Sequence, residues 1–253
     1  MKSLFLSLCA ILFFPHTAPA VAANTSAMDI AWAERMGDHY EIFHAKRTGA
    51  TWQEPTRITE NAVSDVMPAI SFGNDGIGWM VWTTMEENSA TLSYSVFSSG
   101  SWSEASPIFT GMKSNTAVTL VIDSFQIPWI AWAGFDGRDD EIFFSKWNGS
   151  SWDAPQQINS DDQTPDIFPT LALGADGTLS VQWQGFHQGT YKNYSSTWNG
   201  SRWSREERGF LGTEQRAAFS AADLPPFVTN SSQVAIHLPG RAVQSSRLPT
   251  PLR

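Results

Sequence analysis

The stretch "SKWNGSSW" (residues 145–152) has a near copy in "STWNGSRW" (196–203), and the fold prediction starts from this pair. Each copy places two tryptophans five residues apart around an Asn-Gly pair. Asn-Gly between apolar residues indicates a tight β-hairpin turn, because such turns need positive φ. Two copies about fifty residues apart indicate that the hairpin belongs to a repeated unit.

The tryptophans follow the same period along the chain. Two series of four tryptophans each advance by 50, 50 and 51 residues, and the other four form two pairs with the same spacing. The first series is Trp52, Trp102, Trp152 and Trp203, and the second is Trp32, Trp82, Trp132 and Trp183. A register that includes all twelve tryptophans of the chain predicts an internal repeat.

Each repeat contains four short runs rich in Trp, Phe, Val and Ile, separated by turn residues at intervals of about ten. This spacing is typical of antiparallel strands. Four strands per fifty residues predict an all-β fold, a β-propeller of four-stranded antiparallel blades, with four to five blades. The predicted domain is 24–238, with repeats at about 24–60, 68–109, 117–158 and 169–207, a partial repeat at 225–238 and a disordered tail at 239–253.

The first repeat lacks a first strand unless it lies near residues 19–23. Three arrangements are open. The C-terminal strands complete the first repeat and close a ring of four or five blades, or the chain closes by forming an oligomer, or it is a truncated form of a longer protein. An unclosed ring would leave unpaired strand edges, which favour aggregation.

The N-terminus predicts export. Residues 1–23 combine Lys2, the apolar run "LFLSLCAILFF" and the small residues "APAVAA", which together resemble a signal peptide. We therefore expect a secreted or periplasmic bacterial protein with no membrane insertion after cleavage. The only cysteine, Cys9, lies in this segment. Removing residues 1–23, which contain one lysine and no acid, changes the net charge from −9 to −10, and this charge excludes nucleic acid as a partner.

The hairpin motif resembles the Asp-box of sialidase-like (BNR-repeat) propellers, which reads Ser/Thr-x-Asp-x-Gly-x-x-Trp. Ser145, Gly149 and Trp152 match it, as do the corresponding residues of the second copy. Trp147 stands where the box has its Asp, so the box is degenerate. The resemblance implies a propeller with this turn between the third and fourth strands of each blade. Its repeated structural residues are then Gly49, Gly100, Gly149 and Gly200 in the turns and Trp52, Trp102, Trp152 and Trp203 packed between blades.

A ligand is expected on the opposite face, which carries the loops between second and third strands. We expect these loops to be long and acidic. The candidate ligand-binding residues are Trp32, Trp82, Trp132, Trp183, Phe135, Phe186, Arg35, Arg138, Asp136 and Asp139. Three interpretations are open: solvation of the face, polyol binding by carboxylates and aromatic rings, and calcium binding by Asp136, Asp139 and Asp140.

No catalytic residues are assigned. Sialidases of the resembled family use an arginine triad and a Tyr/Glu pair, and neither can be placed on this sequence. The sequence therefore predicts an exported, non-catalytic module that binds glycans or surface polymers without a cofactor other than calcium. A glycoside hydrolase and a protein-interaction scaffold are the alternatives.

Overall fold

The described part of the chain is built from β-strands. The computed structural model describes residues 27–209, Val228 and Val234–His237, and all regular secondary structure in these ranges is β. Eighteen strands form four antiparallel sheets, one for each predicted repeat. The all-β, blade-like prediction is confirmed. The predicted signal peptide (1–23) and C-terminal tail (239–253) lie outside the described residues.

Each sheet, or blade, consists of an inner strand, two long central strands and a short or divided outer strand. Blade 1 contains β18 (Val234–His237), β1 (Met28–Met36), β2 (His39–Thr48), β3 (Thr51–Trp52) and β4 (Thr56–Arg57). Blade 2 contains β5 (Ser64–Phe72), β6 (Gly78–Met85), β7 (Ala90–Ser98), β8 (Ser101–Trp102) and β9 (Ser106–Ile108). Blade 3 contains β10 (Asn115–Ile122), β11 (Pro128–Phe135), β12 (Asp140–Lys146) and β13 (Gln156–Gln157). Blade 4 contains β14 (Asp166–Leu173), β15 (Leu179–His187), β16 (Thr190–Thr197) and β17 (Glu207–Arg208). No helix within these ranges is long and apolar enough to cross a membrane.

The inner strand of blade 1 comes from the C-terminal part of the chain. β18 pairs antiparallel with β1, with Ile30 opposite Ile236 and Trp32 opposite Val234. It therefore stands where β5, β10 and β14 stand in the other blades. Among the arrangements left open by the sequence, this pairing is the one in which a C-terminal strand completes the first repeat. The rest of the partial repeat (225–238), except Val228, lies outside the described residues.

The core lies between successive blades, because the surfaces that face each other there are apolar. Buried residues of blade 2, such as Val81 and Leu92, share one cluster with Leu120, Ile130 and Trp132 of blade 3. Similar clusters join blade 1 to blade 2 and blade 3 to blade 4. Packing apolar faces together removes them from water and stabilises the stack of sheets.

The Asn-Gly hairpins insert two tryptophans against the preceding blade. Trp147 and Trp152 pair with each other, and both rings lie against Trp79 of blade 2, at centroid distances of 5.0 and 5.6 Å. Gly149 at the turn has φ +101°, and the Asn148 side-chain oxygen accepts the N–H of Ser151 at 3.0 Å. The second copy packs in the same way on Trp129 and Phe144 of blade 3. The repeated motif is thus an inter-blade packing element.

A bulge recurs in the inner strands. The register shifts at the same repeat position in β5, β10 and β14. The residues there, Met67, Ala117 and Phe168, have φ of 54°, 56° and 54°. Positive φ is uncommon for residues other than glycine. Its recurrence in three blades indicates that the bulge is a regular part of the repeat, as β-bulges are structural features and not local defects of a strand.

Candidate functional site

The second tryptophan series lies in the core. Trp32, Trp82, Trp132 and Trp183 are 2%, 0%, 0% and 2% exposed. The prediction that these rings stack on a ligand is therefore wrong for this structure, since no ring face is open. Trp82 Nε1 instead donates to Asp65 Oδ1 at 2.9 Å, and Trp183 Nε1 donates to Asp166 Oδ1 at 3.0 Å. Both aspartates lie at the beginning of the inner strand of the same blade, and their carboxylates cover the Nε1 end of the indole.

The loop face, which carries the connections between second and third strands, is less open than expected. The strands of blades 1 and 4 continue almost to the turn, so that only Gly37 and Asp38 connect β1 to β2. Long loops were the wrong prediction for these two blades. Acidic residues expected in loops consequently lie within strands, and Glu41 and Glu141 are fully buried. Two of the buried carboxylates on this face, Glu41 in blade 1 and Glu141 in blade 3, hold equivalent positions in their blades.

In blade 1 the buried carboxylate is surrounded by donors. Glu41 Oε1 lies 3.0 Å from the Arg57 guanidinium and 3.1 Å from His39 Nε2. Its Oε2 accepts the hydroxyl of Thr59, and the backbone N–H of Asn61 donates to Oε1 at 2.9 Å. Burial acts to raise the pKa of Glu41, but these bonds outweigh it and lower the pKa. Glu41 is therefore held as a compensated anion.

In blade 3 the equivalent carboxylate lacks that compensation. Glu141 Oε2 accepts from the Asn159 amide, which also donates to Asp166. Glu141 Oε1 has no hydrogen-bond partner among the described residues. Burial, aided by the carboxylates of Asp166 and Asp139, raises the pKa of Glu141 to about 8. Burial likewise raises the pKa of Asp166 to about 7. These groups are acids that ionise only at unusually high pH.

The loop before β12 adds two more carboxylates. Asp136 is exposed and accepts the N–H groups of Arg138 and Asp139 at 2.7 and 3.3 Å. Asp139 is 9% exposed, and neither of its carboxylate oxygens has a partner in the described chain. Oxygens of Asp136, Asp139 and Glu141 lie within 4.8 Å of one another. We call these three residues the blade 3 carboxylate cluster.

The other predicted ligand residues are distributed over three blades. Arg35 is exposed in blade 1 and donates to Gly37 O at 3.0 Å. Arg138 is half exposed and pairs with Asp136 and Asp161. Phe135 is half-buried at the end of β11, and Phe186 is half-buried against Tyr191 at 5.2 Å. Only the residues of loop 136–139 are therefore brought together as one group.

A cleft that the sequence did not predict lies on the opposite, turn face, between blades 3 and 4. It has a volume of about 300 Å³. Blade 3 contributes Lys146, Asp153 and Gln156 to its lining, and blade 4 contributes Trp198 and Ser201. The Trp198 ring is half-buried, and Lys146 Nζ lies 5.2 Å from the ring centre of Trp129. The same hairpin that packs the blades thus forms one wall of this cleft.

Comparison with known proteins shows the fold. No protein-family model and no curated protein sequence matches the chain. A solved protein of unknown function from Dyadobacter fermentans is similar with TM-score 0.57 and 12% identity, over 75% of this chain and 67% of that one. An endo-arabinase from Bacteroides thetaiotaomicron is similar with TM-score 0.50 and 15% identity, over 92% of both chains. An ulvan lyase gives TM-score 0.50 and 8% identity, over 72% of this chain and 55% of that one. The chain has a propeller-type fold that glycan-active proteins also have.

Proposed function

We propose that this chain is an exported, non-catalytic β-propeller that binds a glycan in the cleft between blades 3 and 4. The observation that supports this proposal is the composition of the cleft. It combines a half-buried indole, Trp198, with an ammonium, a carboxylate and an amide from Lys146, Asp153 and Gln156. One aromatic wall facing several polar groups suits a polyol, which presents both an apolar C–H face and many hydroxyls.

Each wall of the cleft matches one part of a sugar ring. The part of the Trp198 indole that lines the cleft offers apolar area to the C–H face of a pyranose. Asp153 Oδ1 already accepts the Asn148 amide at 3.0 Å, and its second oxygen is available to accept a sugar hydroxyl. Lys146 and Gln156 supply donors. A volume of about 300 Å³ suits one or two sugar residues.

The arrangement of carboxylates favours binding over hydrolysis. Glycoside hydrolysis needs two carboxyl groups on either side of the scissile bond, about 5–9 Å apart. Asp153 is the only carboxylate among the described residues that line the cleft. The two acids whose pKa is raised furthest, Glu141 and Asp166, are 0% and 6% exposed and joined through Asn159. They are packed inside the loop face and do not form an acid–base pair beside the cleft.

The class of ligand also draws on the fold neighbours. The endo-arabinase and the ulvan lyase are named for sugar polymers. We extend that class of ligand, and only the class, to this chain. The similarity itself concerns the fold, so the identity of the sugar is for the experiment to give.

The test is a glycan array probed with the mature chain, followed by titration of any glycan that binds. We expect Lys146→Gln and Asp153→Ala each to weaken binding by about tenfold, the effect of one lost hydrogen bond. Lys46→Gln is the matched control, because Lys46 holds the equivalent register position in blade 1. Absence of binding to every glycan, or equal loss in the control, would remove the proposal. Release of sugar from a bound glycan would favour the hydrolase alternative instead.

Export is the second part of the proposal, and it rests on the signal-like residues 1–23. Expression of the full chain in a bacterial host, with N-terminal sequencing of the product, tests it. We expect an extracytoplasmic product that begins near residue 21 or 24. A cytoplasmic product that retains Lys2 would contradict it.

A further inference from the structure

We propose that the blade 3 carboxylate cluster, Asp136, Asp139 and Glu141, binds a divalent cation, with Ca²⁺ as the fitting ion. The inference goes beyond glycan binding, because the cluster lies on the loop face and the cleft lies on the turn face. An exposed acidic cluster alone would not support a cation site, since such clusters are also common as solvated surface. Two further observations support the proposal here.

The first observation is that the buried oxygens of the cluster lack partners. Both carboxylate oxygens of Asp139 and Oε1 of Glu141 are inaccessible to water and unbonded within the described residues. A buried carboxylate without a partner costs several kcal/mol. The Asp136 side chain lies next to them and is 21% exposed, and its turn is fixed by the Asp136 N–H bond to Asp139 O at 3.1 Å. A cation entering past Asp136 would meet all three groups.

The second observation comes from the repeat, because blade 1 places a histidine and an arginine against the carboxylate at the same position. Glu41 and Glu141 are equivalent, since each lies opposite the residue two beyond the buried tryptophan of its blade. In blade 1, His39 and Arg57 contact Glu41 Oε1. The equivalent residues in blade 3 are Asp139 and Gln157. Blade 3 thus has a carboxylate and an amide where blade 1 has a histidine and an arginine, and Glu141 Oε1 is left without a partner among the described residues.

The geometry and the charge fit Ca²⁺. Ca²⁺ binds six to eight oxygens at about 2.3–2.6 Å, so its ligands lie up to about 5 Å apart. The three carboxylates offer oxygens within 4.8 Å of one another. Asp161 and Asp162 add negative charge nearby. Arg138 is the cation nearest to the cluster in the described chain, but it is 53% exposed and bonds Asp136 and Asp161 from the outer side. It leaves the inner oxygens unbonded.

The test is the thermal stability of the purified full chain with and without Ca²⁺, together with calorimetric titration of Ca²⁺ alone. At a hundredfold excess over Kd, Ca²⁺ is expected to raise Tm by about 5–10 °C. Asp139→Asn should abolish the shift. Asp140→Asn is the matched control and should keep it, because Asp140 points to the other side of the strand.

A double variant gives blade 3 the two residues that blade 1 has around Glu41. Asp139→His with Gln157→Arg should give a chain that folds without Ca²⁺ and no longer responds to it. This variant keeps the test decisive if Asp139→Asn fails to fold. Two results would overturn the proposal: no Tm shift of the wild type in millimolar Ca²⁺, or a full shift in the double variant. Neither readout depends on glycan binding, so failure of the proposed function would leave it unaffected.

Discussion

Replacing Asp65 with alanine tests the buried carboxylate that covers Trp82. Asp65 is 1% exposed and accepts three side-chain donors: Trp82 Nε1 at 2.9 Å, Thr84 Oγ1 at 2.6 Å and Asn61 Nδ2 at 2.7 Å. Trp82 is fully buried, so water cannot replace the lost acceptor. An unsatisfied buried donor costs about 1–3 kcal/mol and each bond to a charged group contributes about 1.5–3 kcal/mol. Since these terms overlap, we expect a loss of about 3–5 kcal/mol.

The assay is urea unfolding followed by tryptophan fluorescence, with a thermal melt in parallel. The expected loss corresponds to a fall in Tm of about 10 °C for a domain of this size. Glu87→Ala, at an exposed position of the same blade, should change stability by less than about 0.5 kcal/mol. Trp82→Phe removes the indole donor, and a double-mutant cycle with Asp65→Ala should show coupling of about 1–3 kcal/mol. A cycle that is additive within about 0.5 kcal/mol would refute the reasoning.

Three further predictions concern other parts of the fold. The pKa of Glu141 is about 8 in the folded state against 4.5 for the free group, so the folded state binds more protons between these values. Stability should therefore fall as pH rises from 5 to 8; Glu141→Gln should make the urea midpoint fall less steeply over this range, with a remainder from Asp166, whose pKa is also raised, to about 7, and an unchanged slope would contradict the assignment. Gly149→Ala should lower the free energy of unfolding by about 1–2 kcal/mol. Its φ of +101° is the sole cause, since a Cβ there meets no atom within 4 Å, and an unchanged Tm would contradict the requirement for glycine at this turn. Trp102→Phe should destabilise more than Trp152→Phe, because Trp102 Nε1 donates to His44 at 3.2 Å whereas Trp152 Nε1 has no partner in the described ranges; the reverse order of urea midpoints would count against it.

The repeat could be predicted from sequence because tryptophan spacing is local information. A period of fifty residues with four apolar runs predicts four strands in each blade without any information on contacts. The origin of the inner strand of blade 1 could not be fixed in the same way. β18 and β1 come from opposite ends of the described chain, and pairing between distant segments leaves no periodic signal.

The burial of Trp82 was missed for a related reason. A tryptophan at the end of a strand, beside acidic loops, has the appearance of an exposed ring. Its partner Asp65 lies 17 residues earlier, and only the path of the inner strand brings the two together. The blade 3 carboxylate cluster follows from the alternation of side chains along a strand. From the sequence, Asp140 was predicted to bind calcium together with Asp136 and Asp139. Residues 139 and 141 point to one side of the chain, however, so Glu141 takes the place of Asp140 in the cluster.

The position of β18 has a consequence for the order in which the protein can be made. The ribosome synthesises β1 and β2 first, yet their sheet lacks its inner strand until Val234–His237 emerge. During most of translation the inner edge of β1 therefore remains open, while the later blades can assemble as they appear. The first blade can therefore complete its sheet only after the strands of blades 2, 3 and 4 have been synthesised. The pairing of β18 with β1 thus joins the first-made and the last-made strand of the described chain.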